Sequence, residues 1–314
     1  MMADDASLYS ETNVQGWSAW RLPGLLSHAE QRAPGRIDTE VYLDLLADRW
    51  GDLLDSGDAR AEKLLHAFFE RHPCLLPGAY TVDRDSGHSP YPRAVISKPS
   101  LPGIGPRTPD FMWIATDSEA VYPILVEIET PEKKWFYGDR AEIHSDFTHA
   151  QGQLAEWRAW FRKGHNVSAF ADLYQLPDYM RDRAVQPRFI LIHGRRADYE
   201  GDKLRQAKRA ELRREDERLM SFDRLFPDPK AVHLGCVRMG NRGYTAHAVS
   251  PAFVVIWGNA TQENGVGWED ALQDCPDMAE ARKLFLISKL QESAEFRLAL
   301  ESKTGLRAYR PTWL

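Results

Sequence analysis

The chain has 314 residues, 43% of them hydrophobic, enough to bury a substantial core as one large domain or two smaller ones. Lysine and arginine number 40 against 46 aspartates and glutamates, so the net charge of −6 excludes a global basic field, and any nucleic-acid binding would need a local basic groove. Cys74, Cys236 and Cys275 are scattered and odd in number, which excludes a disulfide framework and a cysteine metal site and points to a reducing compartment.

The N-terminus, MMADDASLYSETN, is acidic and polar without the apolar core of a signal peptide, and no apolar run approaches membrane-spanning length. A soluble, cytoplasmic protein is expected. Residues before about Ser10 are expected to be disordered, and 17–36 carries Trp, Leu and His between Pro and Gly breaks in no assignable pattern. Asp38 and Thr39 can cap a helix over 38–54 whose face is Val41, Leu45, Leu46 and Trp50. After the polar break Asp55-Ser56-Gly57-Asp58, a second helix is predicted over 59–71, with Leu64, Leu65, Phe68 and Phe69 as its apolar side. Pro73 ends it, and Cys74 to Gly78 makes a short apolar loop. Residues 80–82 and 94–96 read as short strands.

Next comes RTPDFMWIATDSEAVYPILVEIETP, from Arg107 to Pro131, the stretch around which the chain is organised. Two apolar runs, 111–115 and 121–128, flank the polar segment Thr116-Asp117-Ser118-Glu119, the pattern of a β-hairpin of two half-buried strands. Residues two apart on a strand share a face, so Glu127 and Glu129 point one way and Val126 and Ile128 the other. A turn near Asp117-Ser118 sets Asp110 across from Glu127 or its near neighbours. Crowded carboxylates repel and resist burial unless a cation compensates them, and hard oxygen donors suit Mg²⁺ or Mn²⁺ rather than zinc. The same acids could instead end a surface strand and pair with Lys133 and Lys134.

Beyond the hairpin, Ile143, Phe147, Ala150, Leu154, Trp157 and Phe161 recur at helical spacing and predict an amphipathic helix over 142–161. His144 and His149 are five apart and do not share a clean helical face, which argues against a zinc pair. Residues 189–192, between Pro187 and Gly194, read as a central strand. Residues 202–220 predict a charged helix and 222–226 a short turn. Lys203, Arg205, Lys208, Arg209, Arg213, Arg214 and Arg218 interleave there with Glu211, Glu215, Asp216 and Glu217, which favours a salt-bridged solvated face over a DNA-facing edge. Arg195 and Arg196, just after a strand, could grip a phosphate. A further strand is expected over 249–257, and Asp277 caps a last helix to about Lys303, closed by Gly305.

Asp110, then Glu127-Ile128-Glu129 after a hairpin, follows the order and spacing of the PD-(D/E)XK nuclease core. Five pieces of the chain together resemble the Shedu family of bacterial anti-phage nucleases across roughly 61–229. They are EKLLHAFFERHPCLL, TPDFMW with LVEIETP, AQGQLAEWRAWF, PRFILIHGRR and MSFDRLF. The resemblance implies an α/β fold, a PD-(D/E)XK (restriction-endonuclease-like) mixed sheet flanked by helices, with helical extensions at both ends. The expected organisation is an N-terminal helical region over 1–55, the nuclease domain over 56–235 and a strand-and-helix extension over 236–314.

It also implies roles. Asp110 and Glu127 would hold Mg²⁺ or Mn²⁺, joined by Glu62 from the preceding helix and by the Ile128 carbonyl. Glu129 stands where the family pattern has lysine, and Lys133 or Lys134 would supply the missing cation from the following turn. Gln153 resembles the glutamine that orients the site or meets the DNA backbone in related nucleases, with Trp157 in place of a tyrosine one turn on. Asp110, Glu127, Glu129, Lys133 and Gln153 are therefore the expected catalytic set, and Arg195, Arg196 and Lys134 the expected DNA contacts. The expected function is a metal-dependent DNA endonuclease acting against phage or foreign DNA, and the same resemblance implies a homo-oligomer. Its rivals are a catalytically inactive nucleic-acid sensor or scaffold of the same fold and an unrelated carboxylate-pair hydrolase acting on small molecules or glycans.

Overall fold

The computed structural model describes residues 30, 32–56, 61–80, 88–103, 108–138, 141–241, 243–256 and 266–304. The expectations for residues before Ser10, for most of 17–36, for 81–82 and for Gly305 fall outside them. One mixed eight-stranded sheet organises the rest. Its strands are β1 (Tyr91–Ser97), β2 (Phe111–Thr116), β3 (Ala120–Ile128), β4 (Ala184–Val185), β5 (Arg188–Ile192), β6 (Glu217–Met220), β7 (Gly235–Gly240) and β8 (Gly243–Ala248). They lie in the order β6-β5-β3-β2-β1-β7-β8, with the two-residue β4 parallel to the start of β3. β1, β2 and β3 run antiparallel in series, while β5 joins β3, β6 joins β5 and β7 joins β1 in parallel.

The predicted hairpin is β2 and β3, turned by Asp117, whose Oδ1 accepts from the Glu119 and Ala120 N–H groups at 2.8 Å each. Its strands are not half-buried as expected. Every residue of β2 is buried, because helices cover both faces of the sheet. Phe111, Trp113, Val126 and Ile128 face α1 (Thr39–Asp55) and α2 (Glu62–Arg71). Met112, Ile114 and Leu125 face α3 (Ser145–Phe161) and α4 (Gly164–Leu173). The remaining α-helices given for the described residues are α5 (Asp178–Arg181), α6 (Lys203–Glu211), α7 (Trp268–Gln273) and α8 (Glu280–Thr304).

Asp38 caps α1, accepting from the Glu40 and Val41 N–H groups. The buried stripe of α1 is Tyr42, Leu46 and Trp50, and the expected face members Val41 and Leu45 are exposed. Tyr42 can be buried because its hydroxyl finds His72 Nδ1 at 2.9 Å, and Trp50 stacks on Phe68 with centroids 5.8 Å apart. In α2, Leu65 and Phe69 are buried and Phe68 half-buried, while Leu64 is exposed. The amphipathic helix begins at Ser145, where the His144 ring accepts from the Asp146 N–H, and its expected apolar residues from Phe147 onward are buried.

Three expectations in the C-terminal half are corrected. The charged helix stops at Glu211, and 217–220 forms β6, whose Leu219 and Met220 are buried beside β5. Arg158 of α3 fixes that strand by bonding Asp216 and Glu217, so tertiary pairing overrides the helical charge pattern. The strand expected over 249–257 does not form: 249–256 is irregular, with Phe253 stacked 5.2 Å from Trp268, and the strands here are β7 and β8. The last helix starts at Glu280 rather than at Asp277, whose carboxylate instead meets Arg49 at 2.8 Å.

Candidate active site

The hairpin register builds the site. Phe111 pairs with Val126, and the Asp110 N–H donates to the Val126 carbonyl at 3.1 Å, which makes Asp110 and Glu127 cross-strand neighbours. The Ile128 N–H donates to Asp110 Oδ2 at 2.8 Å, so the strand backbone itself aims that carboxylate. Glu129 leaves β3 with its N–H on the Ile192 carbonyl at 2.9 Å, and its carboxylate meets the Lys133 ammonium. Asp110, Glu127 and Glu129 are each more than nine-tenths buried.

Burial first, then the charges of Asp110 and Glu129, push the Glu127 carboxyl well above its ordinary range. Glu62, exposed at the first residue of α2, adds to that push. Lys98 works against it. The Lys98 ammonium pairs with Asp110 Oδ1, while Glu127 Oε2 is buried with no hydrogen-bond partner. Lys133 is held charged: burial opposes the ammonium, and the bond to Glu129 outweighs it and raises its pKa.

The other predicted site residues fall elsewhere. Gln153 is half-buried on α3, and among the described residues no hydrogen bond joins it to the three carboxylates. Lys134 is exposed, with its carbonyl 3.1 Å from His193 Nε2. Arg195 is engaged within the fold, donating to Asp223 at 2.7 Å and to the Leu54 carbonyl at 3.1 Å. The Arg196 N–H also bonds Asp223, and its guanidinium meets Glu200 at 3.0 Å. The basic run of α6 stays at the surface, with Lys208 exposed and on the Ala141 carbonyl at 2.6 Å and Arg209 half-buried and on the Leu219 carbonyl at 2.7 Å.

Several neighbours of the acids escaped the sequence reading. His66 stacks on Phe111 with centroids 4.4 Å apart and places Nε2 4.0 Å from Asp110 Oδ1. Its other ring nitrogen lies 3.3 Å from Glu70, a buried carboxylate that also accepts from Ser97 at 2.6 Å and Arg238 at 3.0 Å and lies 3.1 Å from His247 Nε2. Burial alone would raise the Glu70 pKa, but the bonds from His247, His66, Ser97 and Arg238 outweigh it and hold the carboxyl far below the usual range. Glu62, His66 and Glu70 recur every four residues on one face of α2, a signal visible in the sequence. Nothing comparable marked Lys98.

The donor set suits a hard divalent cation: carboxylate oxygens only, an unpartnered buried Glu127 oxygen, and an excess of negative charge around it. As the side chains stand, no group of three or more His, Cys, Asp or Glu among the described residues is close enough to hold a metal. Ammonium groups from Lys98 and Lys133 meet Asp110 and Glu129 instead. Among the described residues no helix is long and apolar enough to cross a membrane. A family model described as Shedu protein SduA, C-terminal, matches residues 59–226, the segment that carries α2, the β2–β3 hairpin, α3 and β5. No curated protein matches the chain.

Proposed function

The chain belongs to the Shedu SduA C-terminal family, and on that premise we propose that it is a metal-dependent DNA endonuclease of the PD-(D/E)XK type, acting in defence against phage or foreign DNA. The observation that carries the reading is the buried Glu127 carboxylate, unpartnered at Oε2 beside Asp110 and Glu129 at one end of a strand pair. Buried acids without a compensating cation are unfavourable in a protein that has no use for them.

In this reading Asp110 and Glu127 hold Mg²⁺ or Mn²⁺, with Glu62 at the edge of the site. The ion, when bound, supplies a more acidic water and offsets charge developing on the phosphate. The protein's own residues do the rest. The Ile128 N–H keeps Asp110 aimed into the site. Glu129, paired with the Lys133 ammonium, would take a proton from the attacking water. The helices on both faces of the sheet keep the carboxylates rigid and largely dry.

A second reading, a DNA-binding sensor that does not cut, draws on Glu129 in the position where the family pattern has lysine. Incubation of supercoiled and linear DNA with the protein in Mg²⁺, Mn²⁺ or EDTA separates the two. Metal-dependent cutting is expected, falling by at least about 100-fold in Asp110→Ala and Glu127→Ala, with unchanged circular dichroism. DNA that is bound in a salt-dependent way yet intact in every metal supports the sensor.

A further inference from the structure

We propose that Lys98 is the catalytic cation of this site, contributed by the end of β1 in place of the lysine absent at position 129. The inference rests on the nuclease reading above and concerns the same reaction. Ser97 pairs with Phe111 across the β1–β2 register, which brings the next residue, Lys98, alongside Asp110. The contact is double. The Lys98 N–H donates to the Asp110 carbonyl at 2.8 Å, and its ammonium pairs with the Asp110 carboxylate.

Two features argue that this geometry serves more than neutralisation. Lys98 has φ +47°, a left-handed conformation that a lysine adopts under strain and a glycine adopts freely. The surrounding fold enforces it: Ser97, one residue earlier, is tied to the buried Glu70 carboxylate at 2.6 Å. Strain held this firmly beside a cluster of acids is a feature of working sites. The Lys98 side chain is also 45% exposed, whereas its partner Asp110 is 6% exposed, so the ammonium stands between the buried acids and arriving solvent or substrate.

Lys133 is the competing candidate. It is bonded to Glu129, four residues before it on the same segment. Lys98 instead pairs with Asp110, the cross-strand neighbour of Glu127. Lys98 is therefore the ammonium seated on the proposed pair of metal-holding carboxylates. In the reaction the water oxygen forms a bond to phosphorus, one P–O ester bond breaks, the water gives up a proton and the departing oxygen gains one. Lys98 keeps its own protons and donates hydrogen bonds to the non-bridging phosphate oxygens, where negative charge builds.

The test compares wild type with Lys98→Gly, Lys98→Arg, Lys133→Ala and Glu127→Ala in the full chain. Cleavage is measured in saturating Mg²⁺, and affinity for a short DNA duplex is measured in EDTA. Lys98→Gly is expected to slow cleavage by about 100-fold or more while its metal-free DNA affinity falls by less than about tenfold, and Lys98→Arg to restore part of the rate. Because glycine adopts the backbone conformation at 98 freely, Lys98→Gly should melt no more than a few degrees below wild type, which separates the lost activity from lost folding. The proposal is overturned if Lys98→Gly cuts within a few-fold of wild type while Glu127→Ala is inactive. It is also overturned if Lys133→Ala is the more damaging change, or if lost DNA affinity accounts for the whole loss of rate. A wild-type protein that cuts nothing overturns the nuclease reading itself, and this proposal with it.

Discussion

At the scale of single residues, the most informative side chain outside the acidic group is Glu70. A carboxylate this buried is tolerated only when its oxygens are occupied, and Ser97, His66, Arg238 and His247 surround it. Through these contacts it fixes the end of β1, one ring nitrogen of His66, and two residues of the β7–β8 pair. Glu70→Gln keeps the shape but removes the charge, and should destabilise the fold by about 2 kcal/mol at neutral pH. The pH dependence has a definite sign. Since the folded-state pKa of Glu70 is depressed, its contribution is complete above the ordinary carboxylate range. It is lost as pH falls below that range, because the unfolded chain then binds a proton that the folded one refuses. Urea unfolding of wild type and Glu70→Gln at pH 7 and pH 4 should show the gap between them narrowing at the lower pH. A gap independent of pH would mean that Glu70 acts by packing rather than by charge.

At the scale of elements, the site depends on turns as much as on strands. Two residues after β5, Gly194 lies at φ +58°, and a Cβ there would lie 2.4 Å from the Lys133 carbonyl oxygen. The Gly194 N–H bonds the Thr130 carbonyl at 3.3 Å, so this one residue seats the segment that carries Lys133 beside Glu129. Gly194→Ala combines a backbone clash with a disfavoured φ. It should cost about 2–4 kcal/mol and lower the melting temperature by several degrees, with partial loss of DNA cutting as Lys133 shifts. A normal melting temperature would show that the turn has room to relax. These elements also mark what the sequence could and could not reveal. The β2–β3 hairpin was legible because two apolar runs bracket Asp117, a residue that makes its own turn. β6 was not, because four residues inside a charged run carry no period of their own and become a strand only through β5 and Arg158. Asp110, Glu127 and Glu129 were legible because strand geometry fixes which side chains share a face. Lys98 was not, because its position depends on the β1–β2 register and on a left-handed backbone, and neither follows from local pattern.

At the scale of the whole molecule, the sheet does not stop where the family match stops. β7 and β8 lie beyond residue 226, yet β7 pairs with β1 through Ala94–Gly235, Val95–Cys236 and Ile96–Val237. That pairing shields β1, whose end carries Ser97 and Lys98, and brings Arg238 and His247 onto Glu70. The C-terminal segment closes the same core: Val237 of β7, Phe253, Leu272 of α7 and Leu286 of α8 are buried in one cluster with residues of β1, β2 and β3. Arg282 of α8 reaches the Phe253 carbonyl at 3.0 Å and pairs with Glu30 from the other end of the chain. Burial of those four apolar side chains alone is worth roughly 8 kcal/mol at about 2 kcal/mol each, comparable with the entire net stability of a typical domain. A chain ending at residue 229 keeps every acid of the candidate site and the whole family-matched segment, yet it should fail to fold cooperatively. It is expected to lose its sharp thermal transition by circular dichroism and to bind a hydrophobic dye strongly where the full chain does not. A truncated chain that melts sharply and cuts DNA would show instead that β1 holds the site without its parallel neighbour, and that the Glu70 contacts with Arg238 and His247 are dispensable.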